Sequence, residues 1–217
     1  MPPTFRWTTF DLNDWLPPGW QQDVFAAAET ADIREFPRTP VISRESPEVQ
    51  QIARGRVHAD QVRDRLPWLY KAYRNEILEL AKEMTGRDKH VSAANDDRYG
   101  IVLNVQRGTR MRFECHVDSN PLTGLLFCTE HAAGGELVVA HDTAALGLAE
   151  IDRNCSVIRP HAGQLIFFDA RKYPHYARLL TDESETRIVA VMNFYTDDCP
   201  ETSRPRELNR HLYGDDA

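Results

Sequence analysis

Residues 110–129 read Arg110-Met111-Arg112-Phe113-Glu114-Cys115-His116-Val117-Asp118-Ser119-Asn120-Pro121-Leu122-Thr123-Gly124-Leu125-Leu126-Phe127-Cys128-Thr129, two short runs broken at Asn120-Pro121. Neither run has the length of an ordinary helix, and their turn-bounded texture predicts strands over 110–118 and 122–129. Outward from this stretch the same texture recurs at 98–106, 135–140, 155–159, 164–169, 175–180 and 186–195, with Gly or Pro between most of the runs. Eight short strands that do not alternate with helices argue against a doubly wound sheet and predict a sandwich or barrel. The expected fold is mainly β with N-terminal helices, on a double-stranded β-helix core of the jelly-roll, cupin-like type.

Upstream of residue 87 the character of the chain changes. Pro17, Pro18, Pro37 and Pro40 predict an irregular arm over 11–45 with at most a short helix at 21–30. Ser46-Pro47-Glu48 offers a cap residue, a proline for the first helical position and an acid near the positive helix end, predicting a helix over 47–64. A second helix begins near Pro67, because Leu69, Ala72, Tyr73, Ile77, Leu80, Ala81 and Met84 recur at helical spacing, with Gly86 as a stop. Its stripe should lie on the sheet. The expected organisation is one domain over 1–217: an arm and helices at 1–88 covering a core at 89–197, then a tail at 198–217.

The 217 residues are 41% hydrophobic and 27% charged, the balance of a globular protein. A net charge of -7, with Lys and Arg scattered, lacks the electrostatic footprint of a nucleic-acid binder. No apolar run approaches the roughly 20 residues of a membrane span. Met1 to Trp7 lacks the basic segment and apolar stretch of a secretory signal, so a cytoplasmic location is expected. Cys115, Cys128, Cys155 and Cys199 form no CxxC pair and read as free thiols, mostly buried.

Residues two apart on a strand point to the same face, so His116 and Asp118 can present an imidazole and a carboxylate to one ion. The best third ligand is His175, which follows the apolar run Gln164-Leu165-Ile166-Phe167-Phe168-Asp169 and a turn. Two histidines and one carboxylate on a facial triangle leave coordination positions open, the set suited to non-haem iron(II).

The ordered segments His116-Val117-Asp118, Gly134-Gly135-Glu136-Leu137, Pro160-His161-Ala162-Gly163-Gln164-Leu165-Ile166-Phe167-Phe168, His175 and Arg187 together resemble the iron(II)/2-oxoglutarate-dependent dioxygenase superfamily, over residues 98–195. The resemblance implies Fe(II) held by His116, Asp118 and His175, with 2-oxoglutarate and O2 as co-substrates. It also implies a salt bridge from Arg187 to the distal carboxylate of 2-oxoglutarate, a match between a planar guanidinium and a carboxylate. Arg187 stands 12 positions after His175, slightly beyond the family's usual gap, and a longer turn through Asp182-Glu183-Ser184-Glu185 absorbs the difference. The other reading of Arg187 is a surface ion-pair partner of nearby acids. Asp118 fills the position that related halogenases leave open for chloride, so hydroxylation is implied over chlorination.

Val189, Val191, Asn193 and Tyr195 share parity with Arg187 and should face the interior. Asn193 is a candidate substrate contact, or else a buried amide satisfied by backbone. Asn104 and Gln106 are candidates to line the pocket, Asn104 beside the co-substrate. Glu114 and Arg112 share parity with His116, and either orient a polar substrate or pair with each other near the rim. His131, His141 and His161 have no partner at ligand spacing and read as solvated. The expected substrate is a small polar molecule, a free amino acid or a natural-product intermediate. A peptide or protein hydroxylase, and a zinc-holding β-barrel without oxygenase activity, are the alternatives.

Overall fold

A computed structural model describes residues 7–85 and 90–213 of the chain. The helix stop at Gly86, the boundary at 88 and 89 and most of the amino-terminal stretch read for a signal therefore lie outside the described residues.

The first part of the chain contributes strands as well as helices. It runs β1 (Trp7–Asp11), α1 (Trp20–Ala28), β2 (Asp32–Pro37), β3 (Gln51–Val57), α2 (Ala59–Arg65), α3 (Pro67–Arg74) and α4 (Glu76–Thr85). The helix expected over 47–64 is replaced by a turn at Ser46, β3 and α2. The pattern of 51–57 explains the change: Ala53, Gly55 and Val57 alternate with Ile52, Arg54 and Arg56, a period of two that serves a strand packed on both faces. Gly55 permits close pairing, since a Cβ there would stand 3.0 Å from the Val105 carbonyl oxygen. Helix begins only at Ala59, where His58 and Gln61 form a reciprocal capping box. The irregular arm of 11–45 likewise yields one edge strand, β2, which ends on Pro37 as an edge tolerates.

The second part runs β4 (Val91–Ala93), β5 (Ile101–Arg107), β6 (Phe113–His116), β7 (Leu122–Phe127), β8 (Leu137–Ala140), α5 (Gly147–Ile151), β9 (Cys155–Ile158), β10 (Gln164–Phe168), β11 (His175–Ala177), β12 (Thr186–Thr196) and α6 (Arg206–Tyr213). All eight strands expected from the sequence are present, their ends shifted by at most three residues. Every pairing is antiparallel. The large sheet has the order β1-β10-β7-β12-β5-β3-β2 with β4 on the end of β12, and the small sheet is β6-β11-β8-β9.

Alternation along β12 shows how the layers stack. Ile188, Ala190, Met192 and Phe194 enter one core with residues of α1 to α4, whereas Val189 joins a second core with Leu137 and Val139 of β8 and Ile158 of β9. The large sheet is therefore covered by helices on one face and by the small sheet on the other. The stripe predicted for the second helix does lie on the sheet, although the helix breaks at Asn75, whose side-chain amide donates to the Lys71 carbonyl at 2.8 Å. Tyr73 ties it down: its hydroxyl donates to the Asn193 carbonyl at 2.8 Å and accepts from the Ala94 N–H at 2.9 Å. All four cysteines are free, and three of them are buried. Among the described residues no helix is long and apolar enough to cross a membrane.

Candidate metal centre

His116 closes β6 and His175 opens β11, and the register of these two strands sets them directly opposite one another. Beyond His116 the strand ends, but its backbone stays anchored: the Val117 N–H donates to the Ile42 carbonyl at 3.0 Å and the Asp118 N–H to the Ala170 carbonyl at 2.9 Å. The three ligand atoms lie within 4.8 Å of one another. Asp118 Oδ1 stands 3.2 Å from His116 Nε2 and 3.9 Å from His175 Nε2.

The ring orientations are fixed from behind. Carbonyls can only accept, so Nδ1–H of His116 donates to the Glu114 carbonyl at 2.6 Å and Nδ1–H of His175 donates to the Tyr173 carbonyl at 2.9 Å. Each ring thereby turns Nε2, the nitrogen a metal would take, toward Asp118, and the His116 Nε2 proton is shared with that carboxylate until a cation replaces it. Thr123 Oγ1 donates to Asp118 Oδ2 at 2.5 Å and accepts from Asn120 Nδ2 at 2.9 Å, a relay that aims the carboxylate.

Burial pushes the His175 pKa down to about 4, and the neighbouring His116 adds to the effect. Burial also opposes charge on His116, yet its hydrogen bond to Asp118 and that carboxylate's field outweigh it and raise the pKa. For Asp118 burial alone would favour the acid form. The hydrogen bond to His116, the fields of both histidines and the Thr123 hydroxyl win, and they hold the carboxyl well below its usual range. The centre thus offers an ionised carboxylate and at least one neutral imidazole, as cation binding needs.

A cavity with about 400 Å³ of empty space, part of it open to solvent, extends from this triad to Arg187 between the apolar walls Leu125, Leu137 and Val189. Arg187 is only 3% exposed, which rules out the surface ion-pair reading. Its Nε donates to the Gly135 carbonyl at 2.6 Å and Nη1 to Gln106 Oε1 at 3.0 Å. No carboxylate among the described residues forms an ion pair with it, and burial pushes its pKa down to about 10. Gly135, at φ +70°, makes the close approach possible: a Cβ there would lie 3.0 Å from Arg187 Cδ. Gln106, expected from sequence to line the pocket, lines neither cavity and instead holds the guanidinium in place from behind, its own Nε2 donating to the Met111 and Arg178 carbonyls.

A second cavity, with about 650 Å³ of empty space that is partly open to solvent, shares His116, Asp118 and Asn104 with the first, and is walled by Arg54 and Arg56 of β3 and by Leu208 and Tyr213 of α6. Asn104 stands between the two with its Oδ1 buried and unpartnered. Asn193 fits both of its readings at once, lining the cavity while its Nδ2 donates to the Tyr99 carbonyl at 2.9 Å.

The expected pair of Glu114 and Arg112 does not form. Glu114 accepts from the Thr39 N–H at 2.9 Å and the Thr39 hydroxyl at 2.6 Å, while Arg112 bridges to both oxygens of buried Glu45 at 2.5 and 2.9 Å. The segment 39–45, read from sequence as irregular arm, lies beside β6 and supplies both partners. Arg112 consequently lines neither cavity, although Glu114 faces the second. His131 is not solvated either: its side chain is 4% exposed, with Nδ1 3.2 Å from Glu185, and burial lowers its pKa. His141 is held by Asn154 and Ser156 at 2.9 and 2.8 Å, while His161 is exposed as expected. Sequence reading passed over Arg54, Arg56, Thr39, Asn120 and Thr123. The period-two alternation of 51–57 was the available signal for the two arginines.

No family model and no curated protein matches the chain. Solved structures do match in fold. A 2OG-Fe(II) oxygenase family oxidoreductase from Burkholderia pseudomallei superposes with a TM-score of 0.57 at 13% identity, over 87% of this chain and 84% of its own. The non-heme alpha ketoglutarate dependent epimerase SnoN from nogalamycin biosynthesis gives 0.59 at 14%, over 88% and 76%. A prolyl hydroxylase from Trichoplax adhaerens, solved with a hypoxia inducible factor peptide fragment, gives 0.57 at 11%, over 92% and 87%. At such identities the likeness is one of fold: two antiparallel sheets of the jelly-roll type found in these oxygenases.

Proposed function

We propose that this chain, as a single domain on a double-stranded β-helix, is a mononuclear iron(II)- and 2-oxoglutarate-dependent oxygenase that hydroxylates an unactivated C–H bond of a small polar molecule, releasing succinate and CO2. The observation that carries the reading is a pair of demands facing one another across one cavity. At one end two imidazole nitrogens and an ionised carboxylate converge within 4.8 Å of one another; at the other stands a buried guanidinium with no carboxylate at ion-pair distance among the described residues.

The residues fit the groups the reading requires. His116, Asp118 and His175 offer two nitrogens and one oxygen on one side of an ion, the facial set that leaves positions for a bidentate co-substrate and for O2. Arg187 would take the far carboxylate of 2-oxoglutarate, and the walls of Leu125, Leu137 and Val189 suit its methylenes. When bound, iron with 2-oxoglutarate and O2 supplies the oxidising power for C–H chemistry that no side chain can provide.

What the protein contributes is placement. The backbone carbonyls of Glu114 and Tyr173 hold both rings in one tautomer, and the Asn120–Thr123 relay keeps the carboxylate from turning away. Gly135 and Gln106 fix the Arg187 guanidinium at the end of the cavity before any ligand arrives. Asn104, between the cavities, is a candidate contact to the co-substrate. The second cavity then receives the substrate beside the metal, with Asn193 and Glu114 facing it, and α6 forms one wall of it.

That wall favours a small substrate, a free amino acid or natural-product intermediate, over a peptide laid along an open groove. The test is anaerobic addition of Fe(II) and 2-oxoglutarate, which should give a weak visible charge-transfer band, followed by a screen for substrate-stimulated succinate formation. No band and no succinate would leave a non-catalytic metal-binding barrel as the better reading.

A further inference from the structure

The second cavity holds more positive charge than its own residues answer. Arg54 is 5% exposed, its guanidinium packed over Phe36 at 4.8 Å, and its Nε is buried without an acceptor. The nearest acid, Glu114, stands 3.7 Å away, beyond hydrogen-bond distance, with both oxygens already receiving hydrogens from Thr39. Two residues along the same strand, Arg56 projects to the same face and lines the same cavity, and its side chain forms no hydrogen bond or ion pair with any described residue. Arg204, which lines the same cavity, donates only to neutral acceptors: Asn209, Ser119 and Tyr195. Three guanidiniums therefore share one cavity with Glu114, once Asp118 is given over to the metal.

A buried guanidinium without an acceptor is costly, because the solvent that would have paired with it has been removed. Burial and the like charge of Arg56 push the Arg54 pKa down to about 10. Glu114 offsets one of these charges from 3.7 Å, and the remaining guanidiniums form one half of a further ion pair. Resting on the oxygenase reading above, we infer that the substrate is a small molecule bearing a carboxylate, which docks on Arg54 and Arg56 of β3 while the rest of the molecule points to the metal.

A monoanion fits better than a phosphate dianion, because Glu114 lies against the same guanidinium and repels the second charge. Distance limits the rest of the molecule. Glu114 and His116 are two residues apart on β6, roughly 7 Å along a strand, so a carboxylate at Arg54 lies about that far from the metal ligands. The span suits a compact acid whose oxidised carbon is a few bonds from its carboxylate. Leu208, Leu212 and Tyr213 of α6 form one wall of the same cavity and limit the room for a longer chain.

The test uses the full chain loaded with Mn(II) and 2-oxoglutarate under argon, and reads binding by calorimetry and thermal melting. The probes are the twenty standard free amino acids and short monocarboxylic acids, their primary amides, glycerol phosphate and end-capped peptides. At least one free acid should bind, with its amide bound at least tenfold more weakly. Arg56→Met and Arg54→Met should each weaken that acid about 10- to 100-fold, the loss expected for charge-assisted bonds. Arg56 is half-buried, so its variant keeps the test alive should Arg54→Met fail to fold. A persisting 2-oxoglutarate band with iron separates the two proposals: without the band the oxygenase reading fails first. With the band present, amides binding as well as acids, no acid binding at all, preference for the phosphate or the peptides, or an Arg56→Met affinity within twofold of the parent would each overturn the inference.

Discussion

Arg187→Met separates what this residue does for the fold from what it does for a ligand. Burial holds the guanidinium at about 10 against its ordinary 12.5 even with the field of Glu136 opposing it, which corresponds to about 3 kcal/mol of incompletely compensated charge. Methionine removes that burden and fills much of the same volume, but it leaves the Gly135 carbonyl and Gln106 Oε1 without their donor, at about 1 kcal/mol or more each. The two effects nearly cancel, so the melting temperature of the ligand-free variant should stay within about 5 °C of the parent. Binding of 2-oxoglutarate loses a buried, bidentate charge pair, about 3–5 kcal/mol, or roughly a hundred- to a few-thousand-fold in affinity. Anaerobic titration of the Fe(II)-loaded proteins, followed through the visible band, measures the second quantity, and thermal denaturation measures the first. A variant that binds 2-oxoglutarate within threefold of the parent refutes the assignment of Arg187. One that melts 15 °C lower refutes the claim that its charge is incompletely compensated.

Thr123→Val removes the hydroxyl behind Asp118 without changing shape, and should weaken iron binding or turnover 10- to 100-fold in equilibrium dialysis; an effect below twofold would count against the relay. Asp118→Ala should abolish tight metal binding unless a halide replaces the carboxylate, so dialysis with and without chloride, in the presence of 2-oxoglutarate, tests whether a coordination position has opened. Gly135→Ala forces a Cβ to 3.0 Å from Arg187 Cδ at φ +70°, and should lower both stability, by about 1–3 kcal/mol, and 2-oxoglutarate affinity; a loss of neither would show that the turn is not what places Arg187. His131 has a pKa depressed below its ordinary 6.5 by burial, so its contribution to stability is complete above that value and is lost as pH falls through the lower, folded-state pKa. Urea melts between pH 7 and 5 should show a shallower acid-side decline for His131→Gln than for the parent.

The strands of the core and the metal triad were legible because both rest on short-range pattern. Turn-bounded runs mark β5 to β12, and the spacing of His116 and Asp118 follows from strand geometry alone. What failed was the reading of 46–64, where the cap signals of Ser46-Pro47-Glu48 are real but local. The edge of the large sheet offered residues 51–57 a hydrogen-bonding partner in β5, and that tertiary gain outweighed them. The same error hid Arg54 and Arg56, because on a helix they would not have shared a face with one another. Glu114 and Arg112 were misjudged for a related reason. Their partners, Thr39 and Glu45, lie about 70 positions upstream in a proline-rich segment whose path no periodicity reveals.

The pairing of His116 with His175 has a mechanical side. β11 has three residues, and its ladder to β6 shifts register between His175 and Ala177, so few backbone bonds pin these strands together. An ion gripped by both histidines would act as a rivet through this short, irregular seam of the small sheet. Metal loading should then be felt as slower amide exchange along β6 and β11, and the sheet's alignment becomes a by-product of the same contact that would perform the chemistry.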